Sequence, residues 1–264
     1  MPLLLAFFIA LCLSCAYRPV GDLNTATQQI QNRLFAPKKR VEIQLLSGSC
    51  LVKVGPEDAI HVRVLHRYGP TETFSAQFSE EGDILHLREE FFALARGQTE
   101  WMVEVPPQTA LDIHAASGNV TLRALTGTVT VETVSGDIKA RRTAGKLALQ
   151  TASGDIQLSD CSGALTTRAI SGHIDLKHSH GEISAHTTSG PIKAQSLDGA
   201  LHLATSSGHI KAKDLSGQLT CQADSGSIAI DGLQPTGPGF FSTASGDLLV
   251  DLADTPQDDL TLQT

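Results

Sequence analysis

Residues 135–158, SGDIKARRTAGKLALQTASGDIQL, open and close on nearly the same phrase and carry a looser third copy, AGKLAL, midway. The copies fall nine residues apart. The beat runs outward in both directions: glycine stands at 118, 127, 136, 145, 154, 163, 172, 181, 190, 199, 208, 217 and 226. Serine precedes it at 117, 135, 153, 171, 189, 207 and 225, so the full unit is eighteen residues in two unequal halves. The second residue after each glycine is Val, Ile or Leu, the fourth is apolar or small, and the third and fifth are mostly polar. Alternation with period two, closed by Ser and Gly, specifies a short strand with one buried face and a tight turn.

Such a strand cannot bury its inward aliphatics alone. Two strands and two turns close one flattened coil, and coils stacked about 4.8 Å apart pair each strand in parallel with its counterpart in the next. The expected fold class is therefore all-β: a flattened parallel β-helix, or solenoid, of 18-residue two-strand coils with an irregular N-terminal β-cap. Hexapeptide helices repeat every six residues, and the calcium β-roll needs a GGxGxDxUx run that is absent, so Asp137 and Asp155 are expected as Asx-type turn formers. The expected organisation is a signal peptide over 1–14, a lipid anchor and tether over 15–40 with a short helix at 25–35, opening coils or β-cap over 41–116, the regular solenoid over 117–250, and a polar end over 251–264. Near that end the Ser-Gly step from 225 to 245 lengthens to twenty residues.

The opening run MPLLLAFFIALCLSC reads as a signal-peptide core rather than a membrane span. Its end resembles the lipobox of bacterial lipoproteins, which implies lipidation at Cys15 and attachment to a membrane through the N-terminal lipid. Two features depart from that pattern: Cys12 stands where Leu is usual, and no Lys or Arg precedes the apolar run. Ala16 after the cysteine resembles an outer-membrane sorting signal, implying a cell-envelope lipoprotein facing periplasm or exterior.

The formal charge of -8 argues against a nucleic-acid partner. Cys50, Cys161 and Cys221 are widely spaced without a CxxC pair, so they are expected as small buried thiols rather than a zinc site or disulfide framework. The histidines at 173, 178, 180, 186, 202 and 209 are too dispersed along the coils for one tetrahedral site, and no metal or cofactor is implied. GxSxG, HExxH, P-loop and GxGxxG signatures are absent, so no catalytic residue is expected. Phe91, Phe92 and Trp101 cluster in a chain with 5% aromatics, as a cover for the first coil would.

The two halves of the repeat differ in charge. Outward positions after Ser-Gly carry Lys139, Arg141, Lys177, Lys193, Lys211 and Lys213, joined by Arg123, whereas the other half shows mainly Thr, Ser, Gln and His. Lys193 and Lys211 should stack in adjacent coils. This basic face is the candidate site, and it suits anionic glycan, lipopolysaccharide phosphate or lipid headgroups. The competing readings are a polysaccharide-processing enzyme on a β-helix and a structural scaffold that self-associates end to end.

The segment MVEVPPQTALDIHAASGNVTLRALTG, followed by reiterated SGDI, resembles the bacterial candidate-adhesin domain family of unknown function. The likeness spans about residues 41 to 250. It implies a cell-envelope β-solenoid without an assigned catalytic residue.

Overall fold

The computed structural model describes residues 28–69, 73–92, 96–253 and 260–263. The signal peptide and Cys15 lie outside them. The described chain is all β. Its opening strands are β1 (Gln28–Phe35), β2 (Arg40–Leu45), β3 (Ser49–Val54), β4 (Ile60–Gly69), β5 (Phe74–Glu81), β6 (Ile84–Phe91) and β7 (Arg96–Val105). The expected short helix over 25–35 is corrected, because β1 pairs along its whole length with β4 in antiparallel register. A pattern of Gln, Asn and Leu has no strong local preference, and a free sheet edge decides it.

From β8 (Ala110–Ala115) and β9 (Val120–Arg123) the regular winding begins. It continues through β10 (Thr126–Thr133), β11 (Ile138–Arg141), β12 (Ala144–Thr151), β13 (Ile156–Ser159) and β14 (Ser162–Ala169). In β15 (Ile174–Thr187), β16 (Ile192–Thr205) and β17 (Ile210–Ser225) the two halves of a coil join into one strand that bends round the corner. The winding closes with β18 (Ile228–Pro235), β19 (Gly239–Ser245), β20 (Leu248–Leu252) and β21 (Leu260–Gln263). Every pairing between regular coils is parallel with an offset of eighteen, as in Ile138 beside Ile156 and Leu147 beside Leu165. The offset becomes twenty at Thr220 beside Phe240, the extra residues being taken up between β18 and β19.

The aliphatic residue two past each repeat glycine is at most 3% exposed from Val120 to Ile228, which places all thirteen in the interior. On the front sheet, the one carrying β9, β11 and β13, six isoleucines at 138, 156, 174, 192, 210 and 228 stack coil on coil at 0% exposure. β-Branched side chains suit a pleated surface. In four successive coils the fourth position pairs a larger residue with a smaller one: Ala140 with Leu149, Leu158 with Thr167, Leu176 with Ala185, Ala194 with Leu203. Core volume therefore stays nearly constant across these four, as close packing requires.

Two glycine columns let the coils approach. At Gly145, Gly163 and Gly181 φ is 114°, 109° and 120°, and a Cβ at each would collide with the carbonyl oxygen of the glycine eighteen residues earlier. The corner three residues before each of these glycines has its own device. Ala124, Arg142, Asp160, His178, Ser196 and Asp214 recur every eighteen residues with φ between 46° and 57°. This left-handed conformation costs a non-glycine residue about 1 kcal/mol or more, and it is held by bonds such as Arg142 N–H to Ser159 O at 3.0 Å.

The first coil departs from chain order. β2 lies between β6 and β8, and β3 between β7 and β9, all parallel. The later pair β6 and β7 thus forms the last parallel layer, and the earlier β2–β3 coil is enclosed. Beyond that layer the direction reverses, with β5 antiparallel to β6, β4 to β7 and β1 to β4.

Candidate functional site: the outer front sheet

The front sheet runs β1-β4-β7-β3-β9-β11-β13-β15-β16-β17-β18-β20, and its outward residues form continuous rows across the strands. One row reads Thr121, Lys139, Gln157, Asp175, Lys193, Lys211 and Ala229. The next reads Lys53, Arg123, Arg141, Ser159, Lys177, Gln195, Lys213 and Asp231. All seven basic candidates therefore share one face. Arg123 stacks directly on Arg141, and Lys193 on Lys211.

The face is not uniformly basic. Asp175 pairs with Lys177 at 2.8 Å, and Asp231 lies 3.8 Å from Lys213. Among the described residues Arg123, Lys139, Arg141, Lys193 and Lys211 form no ion pair, and all of these except the half-buried Lys139 are exposed. Like charges side by side in a sheet oppose each other by a few tenths of a kcal/mol up to about 1. Two such contacts leave a field that an anion spanning adjacent coils would relieve.

The rim of this face is a second ladder, which sequence reasoning read only as turn formers. Asn119 Oδ1 accepts from Asp137 N–H at 2.9 Å, Asp137 Oδ1 from Asp155 N–H at 3.0 Å, and Asp155 Oδ1 from His173 N–H at 2.9 Å. Each side chain bonds the next coil rather than its own turn. Asp137 and Asp155 are therefore clamps between coils. Inside the Ser-Gly corner Thr133 and Thr151 accept from the N–H of Gly136 and Gly154 in their own turns, and Thr151 Oγ1–H also donates to Gly136 O of the preceding coil at 3.3 Å.

The histidines stay apart where the sequence separated them, His173 and His209 at turns, His186 and His202 on the back sheet. His86 on β6 lies 3.2 Å from Glu42 and His114 on β8 lies 3.1 Å from Asp112, with β2 between the two histidines' strands. No group of three His, Cys, Asp or Glu among the described residues is arranged to hold a metal ion. Cys50, Cys161 and Cys221 are free and buried, and burial pushes all three thiols up. In the middle of the αL corner, Cys161 sits beside buried Ser179, whose Oγ accepts its N–H at 3.1 Å.

The aromatic cluster divides. Trp101 is 1% exposed and Phe91 packs against the core, while Phe92 is 63% exposed and takes no part in the cover. Tyr68 and Phe74 complete it, with ring centroids 4.9 Å apart. Beside them lies a residue with no sequence signal, Glu89, 3% exposed. Its Oε2 accepts the successive N–H groups of Leu46, Ser47 and Gly48 at 2.8, 3.0 and 3.2 Å, and its Oε1 accepts Trp101 Nε1–H at 3.0 Å. Four donors replace the water this carboxylate gives up. Gly48 precedes Gly118 in the Ser-Gly corner column, and Glu89, carried by the β6 strand that covers the β2–β3 coil, caps this corner.

Residues 86–264 match the family model described as Toastrack DUF4097, more than half of the 264-residue chain. The chain belongs to that family. The resemblance carried by the Ser-Gly repeats is borne out at this level. The Toastrack match starts within β6, a strand of the last parallel layer, and leaves the enclosed β2–β3 coil outside it. No curated protein matches the chain. Among solved structures it is similar to a candidate adhesin from Bacteroides fragilis NCTC 9343, with 13% identity over 84% of this chain and 97% of that one, at a TM-score of 0.44. It is also similar to a candidate lipid-binding protein from Parabacteroides distasonis ATCC 8503, with 10% identity over 84% of this chain and 97% of that one, at 0.40. A candidate cell adhesion protein from Clostridium sporogenes ATCC 15579 shows 10% identity over 85% and 99%, at 0.29. These likenesses carry no residue of the Toastrack chain's basic face across.

Proposed function

We propose that this chain is a non-enzymatic binding solenoid of the cell envelope, tethered through lipid at Cys15, that presents its outer front sheet to an anionic glycan or lipid headgroup. The observation that carries the reading is the stacking of Arg123 on Arg141 and of Lys193 on Lys211, none of which forms an ion pair among the described residues. A flat parallel sheet fixes the spacing of these charges at multiples of about 4.8 Å along the coil axis. That suits a repeating or planar array of anions better than a single small ion. The envelope-facing lipid would hold the solenoid near such a surface, where weak contacts add through effective concentration.

The test is cosedimentation of the full chain with phosphatidylglycerol vesicles, with lipopolysaccharide and with polygalacturonate, against phosphatidylcholine vesicles as the neutral control. Binding to at least one anionic target that weakens with salt is expected. Replacing Arg123, Arg141, Lys193 and Lys211 by Gln should lower it about tenfold or more, with the far-UV spectrum unchanged. Equal adsorption by the quadruple variant disposes of the reading.

A further inference from the structure

The two ends of the front sheet are complementary edges. At one end β1 pairs only with β4, and at the other β20 pairs only with β18 among the described residues. Their directions agree. β20 runs with the solenoid, β7 runs parallel to β3, β4 runs against β7, and β1 runs against β4, so β1 has regained the direction of β20. An open edge of N–H and C=O groups is a template for another strand, and proteins usually blunt it with charge or proline. Here each edge strand carries one charge, Arg33 on β1 and Asp251 on β20, and no proline. Of the six large apolar side chains exposed on the described surface, Ile30 at 49% and Leu34 at 69% are on β1 and Leu249 at 67% is on β20. On β1 they alternate with Phe35, which packs inward, so both lie on the outer surface of the sheet, as Leu249 does on β20.

Charge follows the same division. β1 and β4 carry Arg33, Arg63 and Arg67 and no acidic residue, whereas β18 and β20 carry Asp231 and Asp251 and no Lys or Arg. Two heads or two tails brought together would oppose like charges. A head against a tail pairs opposite ones and covers all three leucine and isoleucine side chains.

We propose that copies of this chain stack head to tail, β20 of one copy adding in parallel to β1 of the next. Such a contact is heterologous and does not close on itself, so it generates open-ended rows rather than a fixed oligomer. The outer front sheet then continues from copy to copy.

The experiment is sedimentation velocity of the full chain over a hundredfold range of concentration, with a head variant (Ile30→Glu with Leu34→Glu) and a tail variant (Leu249→Arg). All three positions are exposed, so circular dichroism should show the folded β spectrum for each. The wild-type chain is expected to grow in mass with concentration past the dimer, and to lose about tenfold in association on moving to high salt. Each variant alone should remain monomeric, since acid then faces the acidic tail or base faces the basic head. The two variants mixed should associate again. A wild-type chain that stays monomeric across the range overturns the proposal. So does a tail variant that still dimerises, which would indicate head-to-head contact, or a head variant that does, which would indicate tail-to-tail.

Discussion

Three glycine-to-alanine replacements separate two physical demands that the winding makes on glycine. Gly82, in the turn between β5 and β6, has φ 56° and nothing within 4 Å of where a methyl would stand, so Ala there meets only the left-handed backbone. That costs about 1–2 kcal/mol, offset by about 0.4–1 kcal/mol from the less flexible unfolded chain. The net loss is about 1 kcal/mol. Gly172 has no positive φ, but its Cβ would collide with the Gly154 carbonyl oxygen of the preceding coil. Relief requires these two coils to part, at the expense of Ile170 N–H to Thr151 O at 3.1 Å, Ser171 N–H to Ala152 O at 2.9 Å and His173 N–H to Asp155 Oδ1 at 2.9 Å. At about 1 kcal/mol per bond, less the same unfolded-state offset, Gly172→Ala should cost about 2–3 kcal/mol. Gly163 combines both penalties, with φ 109° and a collision with Gly145 O, and its loss should reach about 3–4 kcal/mol. Against a typical total of about 5–15 kcal/mol these steps are resolvable by guanidinium denaturation followed at 222 nm. Hydrogen exchange should place the Gly172→Ala effect at the amides of Ile170 and Ser171. If Gly172→Ala proves no worse than Gly82→Ala, close approach of glycine on glycine is not what spaces the coils.

Glu89→Ala should cost about 3–5 kcal/mol, because the N–H groups of Leu46, Ser47 and Gly48 and the Trp101 indole lose their acceptor together. Trp101 is the single tryptophan, so its emission reports the loss directly, and an unchanged spectrum and midpoint would contradict the assignment. Burial holds the His66 imidazole below its ordinary pKa, 4.7 Å from the Phe74 ring. The unfolded chain then binds the extra proton first, so this group's contribution is complete above about pH 6.5 and is lost as pH falls toward the folded value. His66→Gln should reduce the acid-side slope of stability; parallel pH profiles for both proteins would refute this. The thiols of Cys50, Cys161 and Cys221 should resist a water-soluble disulfide reagent in the native protein and react once it is unfolded, since burial raises all three. Labelling of any of them at the native rate of a surface thiol would show that the core columns open.

The limits of sequence reading follow the range of the forces involved. A strand's buried face is written in its own alternation, and the nine-residue return of glycine states that the chain turns a corner twice per coil. Both are local, so Ile138, Ile156 and Ile174 could be assigned to one interior column from spacing alone. The outward position of Lys193 beside Lys211 follows from the same register. What that register does to the charges beside them is less legible: Asp175 turns along its own strand to Lys177, and Asp137 reaches the next coil instead of its own turn. Such choices depend on side-chain rotamers and on which donors lie free nearby.

By itself the sequence determined an all-β solenoid of 18-residue coils with an aliphatic interior and two unlike outer faces, because period and polarity are properties of neighbouring residues. Only the tertiary structure decided that β2 and β3 lie beneath the later β6 and β7, that residues 28–35 form an edge strand, and that Glu89 enters the first corner as an acceptor. Backbone hydrogen bonds can be satisfied by any edge of matching direction, so which edge is used depends on the assembled sheet and on the unpaired N–H groups it leaves at its end.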